Sequence, residues 1–355
     1  MGKEDMCELK ITPFVSVIVA CRNEEKGIKE CVESVIAQDY PQDRLEVLFV
    51  DGRSVDRTRE IIEGYTGKHF FLKVIDNPRK NTPAAFNAGI RSSKGDLILF
   101  MGAHSIYQKD YVTKCVESSL KYKADNVGGA IKTRPYNSSF VAKAIAIVLS
   151  HPFGVGNSIF RIGSKKPVWV DTVFGGCYKR EVFRQIGLFD EELVRNQDDE
   201  FNLRLRRNGG KILLIPEVVS YYYARDSFDK LARMYWQYGY FKPLVMVKLK
   251  AVLTWRQLVP AVFVSTLLLA ALSSFFLRLG GFFFVGLASF YLFVVLGVSF
   301  GESINRKTIG LFVFLVFAFF VIHFSYGIGY LFGVKDFVAY KKRPSESDKV
   351  CSTTR

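Results

Sequence analysis

Residues 14–36 read FVSVIVACRNEEKGIKECVESVI, and this stretch decides the fold. Phe14 to Ala20 is a β-branched apolar run with the length of a buried strand. The apolar residues of the segment that follows recur at helical spacing, and they are Ile28, Cys31, Val32, Val35 and Ile36. The stretch therefore predicts a strand, a polar loop and then a helix.

The same strand-and-helix unit recurs along the chain. Further strands are predicted at 45–50, 70–75 and 96–101, and further helices from about Asp56, over 83–91 and from about Lys109. Strands that alternate with helices indicate a mostly parallel sheet covered by helices on both faces. The predicted fold class is therefore α/β.

Ligands of open α/β sheets bind beyond the carboxyl ends of the strands. The predicted strand exits are residues 21–24, 51–54, 77–82 and 102–104. They contain carboxylates, guanidinium groups, a lysine and a histidine, which suit a nucleotide with phosphates and a metal. No GxGxxG follows the first strand and no GxxxxGK[ST] occurs, so a dinucleotide fold and a P-loop are disfavoured. The six cysteines form no CxxC motif and no Cys/His cluster, so neither a disulfide framework nor a zinc site is indicated.

Three long apolar blocks lie at 258–277, 281–300 and 309–332. Each reaches the ~20 residues that a helix needs to cross a hydrocarbon layer of ~30 Å. The alternative, buried helices of a soluble core, is disfavoured because such helices keep a polar face. We therefore predict three membrane-spanning helices. Residues 1–13 lack the apolar segment of a signal peptide, so the α/β domain is expected on the cytosolic face of the cell membrane.

The formal net charge of +15 over 355 residues bears on the choice of partner. Much of the basic charge lies beside the apolar blocks, which favours anionic lipid headgroups over nucleic acid. The predicted division is an α/β domain at 1–227, an amphipathic membrane-interface segment at 228–256, a transmembrane region at 257–333 and a basic polar tail at 334–355. Three spans place the tail outside, whereas its basic residues favour the cytosol. The sequence leaves the side of the tail open.

Several ordered motifs resemble a known enzyme family. The segments VSVIVACRNEE, VLFVDGRSVDRT, AAFNAGI and KGDLILFMGAH resemble glycosyltransferase family 2, the inverting GT-A fold enzymes that use nucleotide-diphosphate sugars. The later segments HPFGVGNSIFR, VDTVFGGCYKREVF, GLFDEELVRNQDDEFNLRLRRNGGKI and WQYGYFK resemble its membrane-anchored branch, typified by succinoglycan-biosynthesis glucosyltransferases. The resemblance covers roughly residues 14–242.

The resemblance implies a donor site at the first strand exits. Asp51 matches the carboxylate that hydrogen-bonds the base of the nucleotide, and Asn23 and Glu24 match the loop that flanks the nucleoside. Arg79 and Lys80 fall where a basic residue meets the diphosphate. The resemblance also favours a uridine nucleotide over a guanosine nucleotide.

His104 occupies the position at which many members of the family have a metal-binding carboxylate. Those members carry Asp-x-Asp at the end of the fourth strand, whereas the triplet here is Gly102-Ala103-His104. An imidazole ligand suits borderline metals, so Mn²⁺ is favoured over Mg²⁺. The alternative is that His104 only hydrogen-bonds a phosphate or caps the loop.

Asp198 is the candidate general base, because it matches the Asp of the Glu-Asp pair of the family. Gln197 replaces that Glu, which removes a like charge that would raise the pKa of Asp198, and Asp199 can restore it. The alternative is a surface helix that begins with acidic residues and ends with arginines, as the helix dipole favours.

Five further residues are candidates for the acceptor side. Gly175 and Gly176 can let the backbone approach a sugar closely, although a tight turn explains the pair equally well. Gln237, Tyr240 and Phe241 resemble the Gln-x-x-Arg-Trp motif of processive family members, with Tyr240 and Phe241 in place of Arg and Trp. Their rings suit sugar stacking or an interfacial aromatic belt. Residues 140–149 are too short to span a membrane and fit a second interfacial helix.

Three functions follow from these observations. The first is transfer of a hexose from a nucleotide-diphosphate sugar to a hydroxyl of a lipid-linked saccharide, in exopolysaccharide or glycan assembly at the membrane. The second is a polyprenyl-phosphate sugar synthase, whose acceptor phosphate is already ionised and needs no base. The third is a membrane subunit without activity. The glycine at 102, where many family members have a carboxylate, favours this third function.

Overall fold

A computed structural model describes residues 12–250 and 255–342, apart from the side chains of residues 255 and 256. Residues 1–11 of the predicted α/β domain and most of the predicted tail, 343–355, lie outside the described residues. The strands of the described part are β1 (Val15–Cys21), β2 (Leu45–Asp51), β3 (Leu72–Asp76), β4 (Leu97–Gly102), β5 (Ser105–Tyr107), β6 (Asn126–Arg134), β7 (Val168–Trp169), β8 (Phe174–Lys179) and β9 (Ile212–Tyr223).

These strands form one mixed sheet in the order β3-β2-β1-β4-β8-β6-β9-β5, with β7 paired to β9. The first four strands are parallel, whereas β8 runs antiparallel to both β4 and β6. The predicted α/β class is confirmed, and the sheet is mixed, with four parallel and four antiparallel pairings in the described part. The carboxyl ends of β1, β2 and β4 lie side by side, because Cys21 pairs with Asp51 and Ala20 pairs with Gly102.

Helices cover both faces of the sheet. They are α1 (Ile28–Ile36), α2 (Thr58–Thr66), α3 (Thr82–Ser92), α4 (Tyr111–Tyr122), α5 (Phe140–Val148), α6 (Pro152–Val155), α7 (Ile159–Ile162), α8 (Arg180–Ile186) and α9 (Gln197–Arg207). Alternate residues of β1 supply the two cores, since Val17 and Val19 pack with α1 and α4, while Ile18 packs with α3 and α9. A strand buried on both faces explains the continuous apolar run that opens the sequence.

Four helices follow the sheet: α10 (Phe228–Leu249), α11 (Trp255–Ser273), α12 (Arg278–Asn305) and α13 (Leu311–Gly333), which a π-helical turn extends to Ala339. Two segments of the described part, Arg278–Asn305 and Leu311–Ala339, are long and apolar enough to cross a membrane. The predicted span at 258–277 is shorter in the structure, because the apolar helix there ends at Ser273. Two of the three predicted spans reach this length in the described part of the chain, and the number of spans stays a prediction.

The predicted interface segments differ from the structure in a consistent way. The prediction at 228–256 is an amphipathic membrane-interface segment, but the middle of α10 packs against α13 and is buried, and residues 251–254 lie outside the described residues. Likewise α5, expected to lie on a membrane surface, is buried against Leu315 and Phe319 of α13. Both helices dock the apolar helix α13 onto the α/β part of the molecule.

His323 fixes three elements to one another inside this helical region. Its Nε2 lies 2.8 Å from the carbonyl oxygen of Phe153 on α6, and its Nδ1 lies 2.9 Å from the hydroxyl of Tyr291 on α12. A carbonyl can only accept, so Nε2 carries the proton and the Tyr291 hydroxyl donates to Nδ1. The interruption of the third apolar block is thus a partly buried histidine with both ring nitrogens hydrogen-bonded.

Candidate functional site

The exits of β1 and β2 form one hydrogen-bonded unit. The Ser54 hydroxyl donates to the buried Asp51 carboxylate at 2.5 Å and accepts from the Asn23 N–H at 2.9 Å. The Asn23 side-chain oxygen accepts from the Val55 N–H at 2.9 Å, and Asn23 has a φ of 54°. Asparagine tolerates this left-handed backbone better than most residues. The structure therefore brings Asp51 and Asn23 together, as the sequence analysis expects.

Glu24 connects this unit to the exit of β4. Its backbone N–H donates to Thr58 Oγ1 at 2.6 Å, which fixes the loop onto the start of α2. Its carboxylate oxygen Oε1 lies 3.6 Å from Nδ1 of His104. Four predicted site residues, Asn23, Glu24, Asp51 and His104, thus lie along one continuous polar edge of the sheet.

His104 lies in a positively charged setting. Its side chain is 38% exposed, and its ring packs edge-to-face on Tyr222 at a centroid distance of 5.3 Å. Surrounding protein, and then the charges of Arg225 and Arg195, lower the pKa of His104 to about 4. The imidazole is therefore neutral at physiological pH, which is the form that binds a metal ion.

The side chains of His104 and Glu24 would fit a divalent cation that the phosphates of a bound nucleotide also coordinate. No cluster of three or more His, Cys, Asp or Glu side chains suited to a metal occurs among residues 12–250 and 255–342. His104 and Glu24 supply one nitrogen and one carboxylate, so phosphate oxygens and water would complete the coordination shell. A mixed nitrogen and oxygen set is compatible with manganese.

The loop after β3 is held by an ion pair to Glu191 and not by the residues around His104. The Arg79 guanidinium forms an ion pair with Glu191 at 2.5 Å, and Lys80 is exposed with a φ of 60°. Arg22 donates to the carbonyl oxygen of Lys80 at 3.4 Å. The role of Arg79 and Lys80 at a diphosphate therefore stays a prediction, while the arginines whose charges reach His104 are Arg195 and Arg225.

Asp198 lies in the first turn of α9. Asn196 precedes the helix in the left-handed region, at a φ of 61°, and Asp198, Asp199 and Glu200 follow. The Asp198 side chain is exposed to solvent on one side and has protein around it on the other. This surrounding protein and the like charge of Asp199 raise the pKa of Asp198 to about 6, and the charge of Lys242 opposes the rise.

Helix α10 holds the segment that carries Asp198. Lys242 is 4% exposed and forms an ion pair with the Asp199 carboxylate. The Arg195 Nε donates to Gln237 Oε1 at 3.1 Å, and the Asn196 side-chain amide donates to the Tyr238 carbonyl at 3.1 Å. Gln237 thus reaches the site through Arg195. Sequence reasoning missed Lys242 and Arg195, although a lysine inside the aromatic stretch WQYGYFK is a signal for a buried ion pair.

Tyr240 and Phe241, the aromatic pair of the same motif, are buried against neighbouring side chains. Tyr240 is 2% exposed, stacks on Trp236 at a centroid distance of 4.8 Å and donates to Asp336 at 2.8 Å. Phe241 is fully buried beside Phe337. Neither ring has a face open to a sugar, so the expected stacking role is corrected to a packing role between α10 and the end of α13.

Gly175 and Gly176 lie inside β8, so the tight-turn alternative does not describe them. Both have positive φ, at 67° and 97°. A Cβ atom on Gly175 would lie 2.4 Å from the Phe100 carbonyl oxygen, and one on Gly176 would lie 2.5 Å from the Asn126 side chain. Internal crowding therefore explains both glycines, and a contact with the acceptor stays a prediction.

The mixed sheet of this order, with polar residues at the exits of β1, β2 and β4, has the GT-A fold. The family model described as Glycosyl transferase family 2 matches residues 16–187. The dolichyl N-acetyl-alpha-D-glucosaminyl phosphate 3-beta-D-2,3-diacetamido-2,3-dideoxy-beta-D-glucuronosyltransferase of Methanococcus voltae is 33% identical over 243 residues, 66% of this chain and 74% of that protein. The succinoglycan biosynthesis protein ExoA of Rhizobium meliloti is 28% identical over 246 residues, 69% of this chain and 73% of that protein.

A solved structure shares the fold across both parts of the molecule. The mannosyltransferase PcManGT of Pyrobaculum calidifontis, in complex with GDP-Man and Mn²⁺, aligns with a TM-score of 0.56 and covers 88% of each chain at 18% identity. The chain belongs to glycosyltransferase family 2 and is a glycosyltransferase. The resemblance drawn from the sequence motifs, the predicted fold class and the predicted enzyme class are confirmed.

Proposed function

We propose that this glycosyltransferase moves a hexose, with inversion, from a UDP-sugar to a hydroxyl of a lipid-linked saccharide in glycan or exopolysaccharide assembly. The observation that carries the proposal is the continuous edge from Asp51 through Asn23 and Glu24 to His104. The relative from Methanococcus voltae is named for a dolichyl phosphate sugar, and the one from Rhizobium meliloti for succinoglycan biosynthesis. These names support a lipid-linked acceptor.

The donor would lie along this edge. Asp51 and Asn23 would bind the nucleoside, since both present hydrogen-bonding atoms at the β1 and β2 exits. Glu24 and His104 would hold a divalent cation, with Mn²⁺ favoured over Mg²⁺ because one ligand is an imidazole. When bound, such a cation neutralises negative charge on a leaving diphosphate.

Asp198 would act as the general base that takes the proton from the acceptor hydroxyl. A carboxylate with a pKa of about 6 is largely ionised at neutral pH and still basic enough to accept a proton in the transition state. Lys242 holds the adjacent Asp199, so the first turn of α9 keeps one orientation. A base is required for a hydroxyl acceptor and not for a phosphate acceptor, which favours the saccharide hydroxyl.

The membrane would lie against the apolar helices. The most apolar 18-residue window of α12 is only 6% buried, so its surface requires a non-aqueous environment. We propose a multi-pass membrane protein whose α/β part faces the cytosol, with anionic lipids near the basic residues.

The test is a transfer assay with detergent-solubilised protein. A panel of nucleotide sugars is incubated with lipid-linked saccharides and with polyprenyl phosphate, in Mn²⁺ or Mg²⁺, and products are identified by mass. Transfer from a UDP-sugar to the saccharide is expected. Asp198→Asn should lower transfer about 100-fold or more while UDP affinity is retained.

Asp229→Asn is the matched control, because Asp229 also lies in the first turn of a helix and forms an exposed ion pair with Arg233. It should leave transfer unchanged. Product formation on polyprenyl phosphate itself would replace the proposal with a polyprenyl-phosphate sugar synthase. Full transfer by the Asp198→Asn variant would assign the base to another residue.

A further inference from the structure

Arg161 lies where the α/β part meets the apolar helices. It belongs to α7, which follows α6, and α6 is fixed to α13 by the contact between Phe153 and His323. The neighbouring Phe160 packs against both the cluster around α13 and the core under α3 and α9. Arg161 therefore lies at the junction between the apolar helices and the α/β part of the molecule.

The guanidinium of Arg161 has an unused buried donor. Its Nη1 atom is buried and has no hydrogen-bond partner in the part of the chain that the structure describes. The group lies over two aromatic rings, 5.5 Å from the centroid of Phe160 and 5.9 Å from that of Tyr222. A charged donor that is removed from water without a partner destabilises the fold. A bound anion would supply the missing hydrogen-bond acceptor and the opposite charge.

Further positive charge surrounds the same tyrosine. Burial raises the pKa of Tyr222, and the charges of Arg225, Arg161 and Arg195 oppose this rise. The charges of Arg225 and Arg195 also lower the pKa of His104. The Tyr222 ring contacts His104 at 5.3 Å on the donor side. Arg161 is thus one aromatic ring away from the proposed cation ligand, and it lies on the side of α13.

This order of groups matches the order of groups in a lipid-linked saccharide. Its reacting hydroxyl belongs near Asp198 and His104, its lipid belongs against the apolar helices, and its phosphate lies between the sugar and the lipid. We propose that Arg161, assisted by Arg225, binds the phosphate of the lipid-linked acceptor, an inference that rests on the proposed function. A guanidinium suits this ligand because its donors match phosphate oxygens in pairs.

The test measures binding, so it does not depend on turnover. Farnesyl phosphate, farnesol and UDP are titrated into the detergent-solubilised full chain as separate probes. We expect farnesyl phosphate to bind more tightly than farnesol, and Arg161→Gln to weaken farnesyl phosphate about 10- to 100-fold while UDP affinity stays unchanged. Arg161→Lys should recover part of the affinity, because the charge remains.

Arg184→Gln is the matched control, since Arg184 is an exposed arginine on α8 paired with Glu181. It should change none of the three affinities. If Arg161→Gln weakens UDP and spares farnesyl phosphate, the residue serves the donor diphosphate and the inference is overturned. If farnesyl phosphate binds no better than farnesol although sugar transfer occurs, the inference fails and the proposed function stands.

Discussion

His104 replaces a carboxylate in surroundings that suit a neutral ligand. Arg195 and Arg225 act on the ring, and with the surrounding protein they hold its pKa near 4. An aspartate here would attract those arginines, whereas a neutral imidazole leaves them available for an anionic substrate. Under the proposed function, His104 and Glu24 would bind the cation while the arginines would bind the anion.

A first prediction concerns the metal preference of this residue. His104→Asp should raise the ratio of activity in Mg²⁺ to activity in Mn²⁺ by roughly tenfold, because Mg²⁺ prefers oxygen ligands. The measurement is the rate of sugar transfer at saturating concentrations of each metal. His69→Asp, which makes the same change near the end of α2, should leave the ratio as it is. An unaltered ratio in the His104 variant would argue that the imidazole is not a ligand.

A second prediction concerns the pH dependence of the base. The carboxylate of Asp198 must be ionised to accept a proton, so kcat/KM should rise with pH through about 6. Asp199→Asn removes the like charge that raises this pKa and should move the rise to lower pH by about one unit. Lys242→Met removes the opposing positive charge and should move the rise to higher pH. Profiles of kcat/KM against pH for the three proteins test this, and a rise at the same pH in all three would contradict it.

At the scale of elements, glycines set the distance between α10 and α13. A Cβ atom on Gly239 would lie 2.1 Å from the Tyr326 carbonyl oxygen, and one on Gly329 would lie 2.2 Å from the Trp236 carbonyl oxygen. The two backbones are therefore in direct contact along the crossing. Since α10 also holds Asn196 and Asp199, the crossing determines where the first turn of α9 lies.

A third prediction tests this crossing. Gly239→Ala should destabilise the folded state by about 1–3 kcal/mol, because the added methyl group forces the helices apart. Gly297→Ala on α12 is the matched control, since nothing lies within 4 Å of a Cβ there and alanine favours a helix. Thermal unfolding in detergent should show a lower Tm for the first variant and an equal or higher one for the second. Equal stability of the two variants would mean that the crossing relaxes.

The elements of the α/β part could be predicted from the sequence, and the packing of α10 could not. Apolar runs and helical spacing are local signals, so β1 to β4 and their helices follow from them. The basic residues of α10 predicted a lipid-facing helix. In the structure Lys242 pairs with Asp199, and Lys248 pairs with Asp190 at 2.6 Å. A sequence shows a charge but not the distant partner that neutralises it.

The candidate site divides in the same way. The strand exits follow from the rule that ligands bind at the carboxyl ends of parallel strands, and the resemblance to the family implies Asn23, Glu24, Asp51 and His104 within them. Arg161 and Arg195 lie on no such exit and meet Tyr222 and Gln237 from distant parts of the chain. Both arginines lie in segments that resemble the family, but only tertiary packing shows that they reach the site.

At the scale of the whole molecule, the two long apolar helices differ in their surroundings. The most apolar window of α13 is 44% buried, because α5 and α10 pack along it, whereas that of α12 is 6% buried. Helix α13 therefore connects the glycosyltransferase part to the apolar part. Helix α12 presents the larger bare apolar surface and is the element that most needs lipid.

A fourth prediction follows from this difference. Phe293 lies near the middle of α12 and is 75% exposed, so Phe293→Lys would place a charge in the hydrocarbon core at a cost of about 2.5–3.5 kcal/mol. The fraction of protein that stays with membranes after an alkaline carbonate wash should fall. Leu120→Lys, a change at a 56% exposed residue of α4, should leave that fraction unchanged, because α4 covers the sheet away from the apolar helices. Equal retention of both variants would place α12 outside the hydrocarbon and leave the apolar surface of α13 and α11 as the only lipid contact in the described part of the chain.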